Sequence, residues 1–122
     1  MSDALRVVLA DDSADLRDVA RFALEQAGLD VVGEAGEGGQ ALRLAQELRP
    51  DAVVLDVSMA GPPIEELVAG IRALEAPPAI VVYTGWPSDE LAGLGVGIVS
   101  KGPDPGALAR GVVEAVQEDS RR

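Results

Sequence analysis

Five short apolar runs, each followed by enough chain for a helix, set the tightest limit on what this sequence can fold into. They lie at 5–10 (LRVVLA), 29–34 (LDVVGE), 51–56 (DAVVLD), 79–84 (AIVVYT) and 97–100 (GIVS). At 5–10, 52–55 and 79–83 the apolar residues occupy consecutive rather than alternate positions. Such runs suit strands covered on both faces. Short strands alternating with helices predict an α/β domain, a parallel sheet with helices on both sides. In that architecture a functional crevice opens at the carboxyl ends of the strands.

The intervening segments carry helical spacing. Between the first two runs, Leu16, Val19, Ala20, Ala23, Leu24 and Ala27 recur at steps of three and four, with Gly28 as a stop. Ala41, Leu42, Ala45 and Leu48 repeat the pattern before Pro50, and Ile64, Leu67, Val68, Ile71 and Leu74 repeat it before two prolines. The last helix is expected to begin near Asp104 as cap and Pro105 in its first turn, with Leu108, Val112, Ala115 and Val116 apolar. The polar tail from Gln117 is expected to fray. A length of 122 residues suits one domain.

Composition narrows the chemistry. Phe22, Tyr83 and Trp86 are the only aromatics, so the core must be aliphatic. With neither cysteine nor histidine, the chain has no disulfide, no zinc site of the usual kind and no His-centred triad. No apolar stretch approaches the roughly 20 residues of a membrane span, and the start MSDALR does not read as a secretory signal. A formal charge of −11 disfavours direct nucleic-acid binding and favours basic protein surfaces and divalent cations.

What gathers at the strand ends is more telling. The first run ends in Asp11 and Asp12, the third in Asp56, the fourth in Thr84, and the fifth in Ser100 and Lys101. If these strands are neighbours, three carboxylates, a hydroxyl and an ammonium share one rim. Each carboxylate pair at about 4 Å repels by roughly 4 kcal/mol at an effective dielectric near 20. A cation must offset this, or some of the acids must be protonated. An oxygen-only donor set suits a hard ion, with Mg²⁺ the plain candidate. A carboxylate can itself attack phosphorus while the cations and the Thr84 hydroxyl offset charge on the transferring oxygens. The blander reading has Asp11 and Asp12 capping the next helix and Lys101 in a structural ion pair.

The segments VVLADDS (7–13), DAVVLDVSM (51–59), VVYTG (81–85) and GIVSKG (97–102) resemble the receiver domain of two-component response regulators. The resemblance spans about residues 5–118 of a single domain, 1–122. It implies a doubly wound, flavodoxin-like parallel sheet of order 2-1-3-4-5 flanked by five helices. It further implies that Asp56 accepts a phosphoryl group from a phosphohistidine on a sensor histidine kinase or phosphotransfer protein. Asp11, Asp12, Asp56 and the backbone carbonyl of Ser58 would hold Mg²⁺, and Lys101 would pair with phosphoryl oxygens. Thr84 would swing toward the phosphoryl group and couple it to the surface of helix four, strand five and helix five. Ser58 and Trp86 stand where family members tune the lifetime of the acyl phosphate. For Trp86 the competing reading is a ring that covers apolar surface left by a short fourth helix.

Several positions depart from the family pattern. Ala60 stands where proline is usual and Ile64 where glycine is usual, so the loop after Asp56 is expected to take its own path. Ile98 occupies the position of the switch aromatic, so a readout by an inward-turning ring is absent. Gly102 separates Lys101 from Pro103, so a cis bond at the lysine is expected to be missing or moved. Between Thr84 and Lys101 the chain is short and glycine-rich, which predicts a fourth helix of about two turns at most. The implied function is a cytoplasmic signalling module, with self-catalysed phosphotransfer and autodephosphorylation but no independent enzyme activity. It would act on a partner or on a C-terminal output domain outside this sequence, with a weak dimer left open. The alternative is a phosphorylation-independent interaction domain of the same fold.

Overall fold

The computed structural model describes residues 4–104 and 106–120. The chain alternates β1 (Arg6–Ala10), α1 (Ala14–Gln26), β2 (Asp30–Ala35), α2 (Gly38–Leu48), β3 (Ala52–Leu55), α3 (Ile64–Arg72), β4 (Ala79–Thr84), α4 (Asp89–Ala92), β5 (Gly97–Ser100) and α5 (Ala107–Ser120). All five strands are parallel in the order β2-β1-β3-β4-β5. This is the predicted topology.

The consecutive apolar runs are explained by two cores, one on each face. Successive strand side chains point to opposite faces. Val7, Leu9, Val54 and Val81 pack with Ala20 and Leu24 of α1 and with Leu108 and Val112 of α5. Their neighbours Val8, Ala10, Val53, Leu55 and Ile80 pack on Ala41 and Ala45 of α2 and Leu67, Val68 and Ile71 of α3. α5 lies so close to β5 that a methyl group at Gly111 would collide with Val99.

Two expectations, for α1 and for the end of α5, need correction, and the two loops beside the site fill in what was left open. In α1 only Ala20 and Leu24 are buried, whereas Leu16, Val19 and Phe22 are exposed, because the apolar positions spread over more of the helix than the sheet can cover. α4 is a single turn, within the two-turn limit expected, capped where Ser88 Oγ accepts from Leu91 N at 3.3 Å. The chain behind it is held where Arg72 Nη2 donates to Gly95 O at 3.0 Å. α5 does not fray at Gln117 but runs to Ser120, whose hydroxyl donates to Val116 O at 3.0 Å. In the loop after Asp56, Gly38 N at the start of α2 donates to Ala60 O at 3.0 Å, and Gly61, with φ 113°, lies against Gly38.

Asp104 does serve the start of α5, accepting from Gly106 N at 2.9 Å and pairing with Arg110. Pro105, the expected first-turn residue, lies outside the described residues. Among the described residues there is no cis peptide bond. No helix among them is long and apolar enough to cross a membrane.

Candidate functional site

The first and third strands end level with one another. Asp11 N extends the β1–β2 pairing by donating to Ala35 O at 3.0 Å, and Asp56 N donates to Ala10 O at 3.1 Å. Beyond β5, Lys101 N donates to Thr84 O at 2.7 Å, which places the lysine at the same rim. The chain then turns out of β1 through Ser13, whose N–H donates to Asp11 Oδ1 at 3.0 Å. Ser13 Oγ in turn accepts from Leu16 N at 3.3 Å and caps α1. Neither aspartate is the cap, so capping does not account for the acid pair.

Asp11 and Asp56 are 5% and 6% exposed, while Asp12 is open to solvent. One carboxylate oxygen from each of the three lies within 4.8 Å of the others. Lys101 Nζ stands 3.1 Å from Asp11 Oδ2 and 3.5 Å from Asp56 Oδ1, and 5.6 Å from the centre of the Tyr83 ring. Partial burial pulls the lysine pKa down, but the Asp11 hydrogen bond and the charges of Asp56 and Asp11 outweigh it. The net pKa lies above the ordinary value of 10.5. One ammonium against three carboxylates leaves the cluster electron-rich. An all-oxygen set of this size, without His or Cys, fits a hard divalent ion such as Mg²⁺.

Ser58, in the turn after β3, and Thr84, at the end of β4, meet the site differently. Ser58 Oγ donates to Asp56 Oδ2 at 2.8 Å, so its side chain touches the candidate nucleophile. Thr84 is 2% exposed, and its hydroxyl accepts from Trp86 N at 3.1 Å; it makes no hydrogen bond to Asp56 or Lys101. The Trp86 ring is 89% exposed, which removes the reading that it covers apolar surface left by the short α4. Two contributors escaped the sequence reading, Ser13 and Arg17. Arg17 Nη1 donates to the main-chain carbonyl of Asp11, and its place near the start of a helix just after the acid pair was the available signal.

Comparison with known proteins identifies the family and the fold. The family model described as the response regulator receiver domain matches residues 7–101. A protein-glutamate methylesterase/protein-glutamine glutaminase of Haloarcula marismortui is 35% identical over 102 residues, covering 84% of this chain and 27% of that protein. The transcriptional regulatory protein LiaR of Bacillus subtilis is 36% identical over 87 residues, covering 70% of this chain and 41% of LiaR. The chain therefore spans less than half the length of either relative. Among solved structures, the signal receiver domain of Mycobacterium tuberculosis NarL superposes with a TM-score of 0.85 at 26% identity, covering 93% of this chain and 97% of that one. The REC domain of the response regulator AraT from Geobacillus stearothermophilus gives 0.79 at 27% identity, with 97% of each chain covered.

Proposed function

The chain belongs to the response regulator receiver domain family, and from that premise we propose that it is a phosphoryl-accepting switch with Asp56 as the acceptor. One observation carries the reading: a buried Asp56 carboxylate at the end of β3 shares its pocket with Asp11, Asp12 and the Lys101 ammonium. An oxygen of Asp56 would bond to the phosphorus of a phosphohistidine as the P–N bond breaks and the imidazole leaves. Asp11, Asp12, Asp56 and the Ser58 backbone carbonyl would hold Mg²⁺. When bound, that ion would supply positive charge to the non-bridging phosphoryl oxygens. Lys101 would offer them its ammonium, and Thr84 would donate its hydroxyl proton to one of them. Attack by water on the acyl phosphate would return phosphate and the free carboxylate.

The donor would be a sensor histidine kinase or phosphotransfer protein. It must reach the rim beside Asp56, and the exposed Leu16, Val19 and Phe22 run down α1 from the turn that carries the acid pair. A groove of about 530 Å³ between α1 and the β5–α5 connection, lined in part by Val19, Phe22, Tyr83 and Pro103, adjoins them. On the output side, Thr84 moving toward the phosphoryl group would release Trp86 N and pass the change into the loop before α4. The domain would act in the cytoplasm, as a phosphorylated substrate rather than an independent enzyme. It would control a partner or an output domain, and it would not bind nucleic acid itself.

Incubation with Mg²⁺ and a small phosphodonor, followed by intact-mass measurement, tests the proposal. The wild type should gain one phosphoryl mass and Asp56→Asn should not. A wild type that stays unmodified would favour a phosphorylation-independent interaction domain. The one-turn α4 and Ile98 in place of the switch aromatic are the features that speak for that reading.

A further inference from the structure

We propose that Arg17 is a positioning residue for the acid pair, holding the turn from which Asp12 reaches a divalent cation; this rests on the magnesium-dependent reading of the site. Asp11 is tied down at every polar group it has. Its N–H donates to Ala35 O at 3.0 Å, Oδ1 accepts from Ser13 N at 3.0 Å, and Oδ2 accepts from Lys101 Nζ at 3.1 Å. Its carbonyl oxygen accepts from Arg17 Nη1. Asp12, by contrast, is exposed and has no side-chain hydrogen bond or ion pair among the described residues. Where its carboxylate stands is therefore decided by the backbone that leaves Asp11, and the bond to that backbone's carbonyl comes from Arg17.

The guanidinium is itself anchored. Its Nε lies 3.4 Å from Glu34 Oε1 on β2, while the main-chain N of Arg17 donates to the O of the cap residue Ser13 at 3.0 Å. That Nε is buried and makes no hydrogen bond, so charge attraction to Glu34 is what holds this side of the fork. Glu34 pairs in register with Leu9, two residues before Asp11, and also takes the Arg21 guanidinium. The result is a clamp in which β2 fixes Arg17 and Arg17 fixes the main chain between the two aspartates. The planar fork of arginine can serve both ends at once, whereas a lysine ammonium is a single point charge.

The sign of the effect separates positioning from bulk electrostatics. Removing a positive charge beside three carboxylates should, on electrostatics alone, tighten cation binding. Losing a hydrogen-bond partner that orients a metal site typically weakens affinity by about 10- to 100-fold. Titration calorimetry with Mg²⁺ on the wild type, Arg17→Gln, Arg17→Lys and Arg21→Gln decides between them. Both Arg17 variants should bind Mg²⁺ at least about tenfold more weakly, with Arg21→Gln near wild type. Their metal-free thermal midpoints should shift far less than affinity does. Equal or tighter binding by Arg17→Gln, or rescue by Arg17→Lys, would overturn the proposal. Should Arg17→Gln not fold, Glu34→Gln releases the other end of the same guanidinium, and unchanged Mg²⁺ affinity there would overturn it equally. A wild type that takes up no Mg²⁺ would instead overturn the reading of the site on which the proposal rests.

Discussion

Lys101 Nζ sits 3.1 Å from Asp11 Oδ2, joining residues 90 positions apart at one rim of the sheet. The same ammonium reaches Asp56 at 3.5 Å, so a single cation bridges the acid pair and the candidate acceptor. Lys101→Met should therefore leave two buried carboxylates without their shared partner. We expect a stability loss of about 1–3 kcal/mol without metal, substantially restored by Mg²⁺, with phosphoryl incorporation at Asp56 strongly slowed. Urea denaturation with and without Mg²⁺ checks the first part, and intact-mass kinetics the second.

The raised lysine pKa sets a pH dependence. A folded-state pKa above the unfolded value gives stability that is fully present below about 10.5 and is lost as pH rises through the folded value. In metal-free buffer, wild type should lose stability above pH 10.5 more steeply than Lys101→Met. Parallel curves for the two proteins would show that the ion pair contributes nothing to this limb.

Ser58 donates its hydroxyl to Asp56 Oδ2 at 2.8 Å, a bond that must yield if that oxygen is to meet phosphorus or a cation. A neutral-donor bond of this kind is worth about 0.5–1.5 kcal/mol. Ser58→Ala should accordingly accelerate phosphoryl incorporation from a small donor by about two- to tenfold. Rate constants from intact-mass time courses measure it. A slower reaction would mean that the hydroxyl orients the carboxylate for attack rather than competing for it.

Trp86 is exposed while its main-chain N–H donates to the Thr84 hydroxyl. Trp86→Ala should change stability by no more than about 0.5 kcal/mol and should speed loss of the phosphoryl group. An unchanged dephosphorylation rate would leave the ring without a part in shielding the acyl phosphate.

Phe22 is 65% exposed on α1 beside the groove. Phe22→Asp should leave stability and phosphorylation by a small donor near wild type, yet slow transfer from a phosphorylated histidine protein. Equal slowing with both donors would place the effect in the site rather than on the docking surface.

The alternation of both-face-buried strands with helices was legible because hydrophobic periodicity is a local property, written within ten or so neighbouring residues. The acids, hydroxyl and lysine were legible too, since each ends an apolar run. What Asp11, Ser13 and Arg17 do was not, because all three sit in one short stretch and differ only in what lies opposite. Ser13 faces the open N–H of Leu16, Asp11 faces Lys101, and Arg17 faces Glu34 on a neighbouring strand.

By itself, then, the sequence determined the fold class, the two-sided burial of the strands and which side chains stand at their carboxyl ends. Only the tertiary structure decided that Leu16, Val19 and Phe22 stay outside the core, that α4 is a single turn, that Trp86 stands out in solvent, and that Arg17 donates to the Asp11 carbonyl. The reason is physical: whether an apolar or charged group is satisfied depends on which surface comes to meet it, and that surface comes from residues far along the chain.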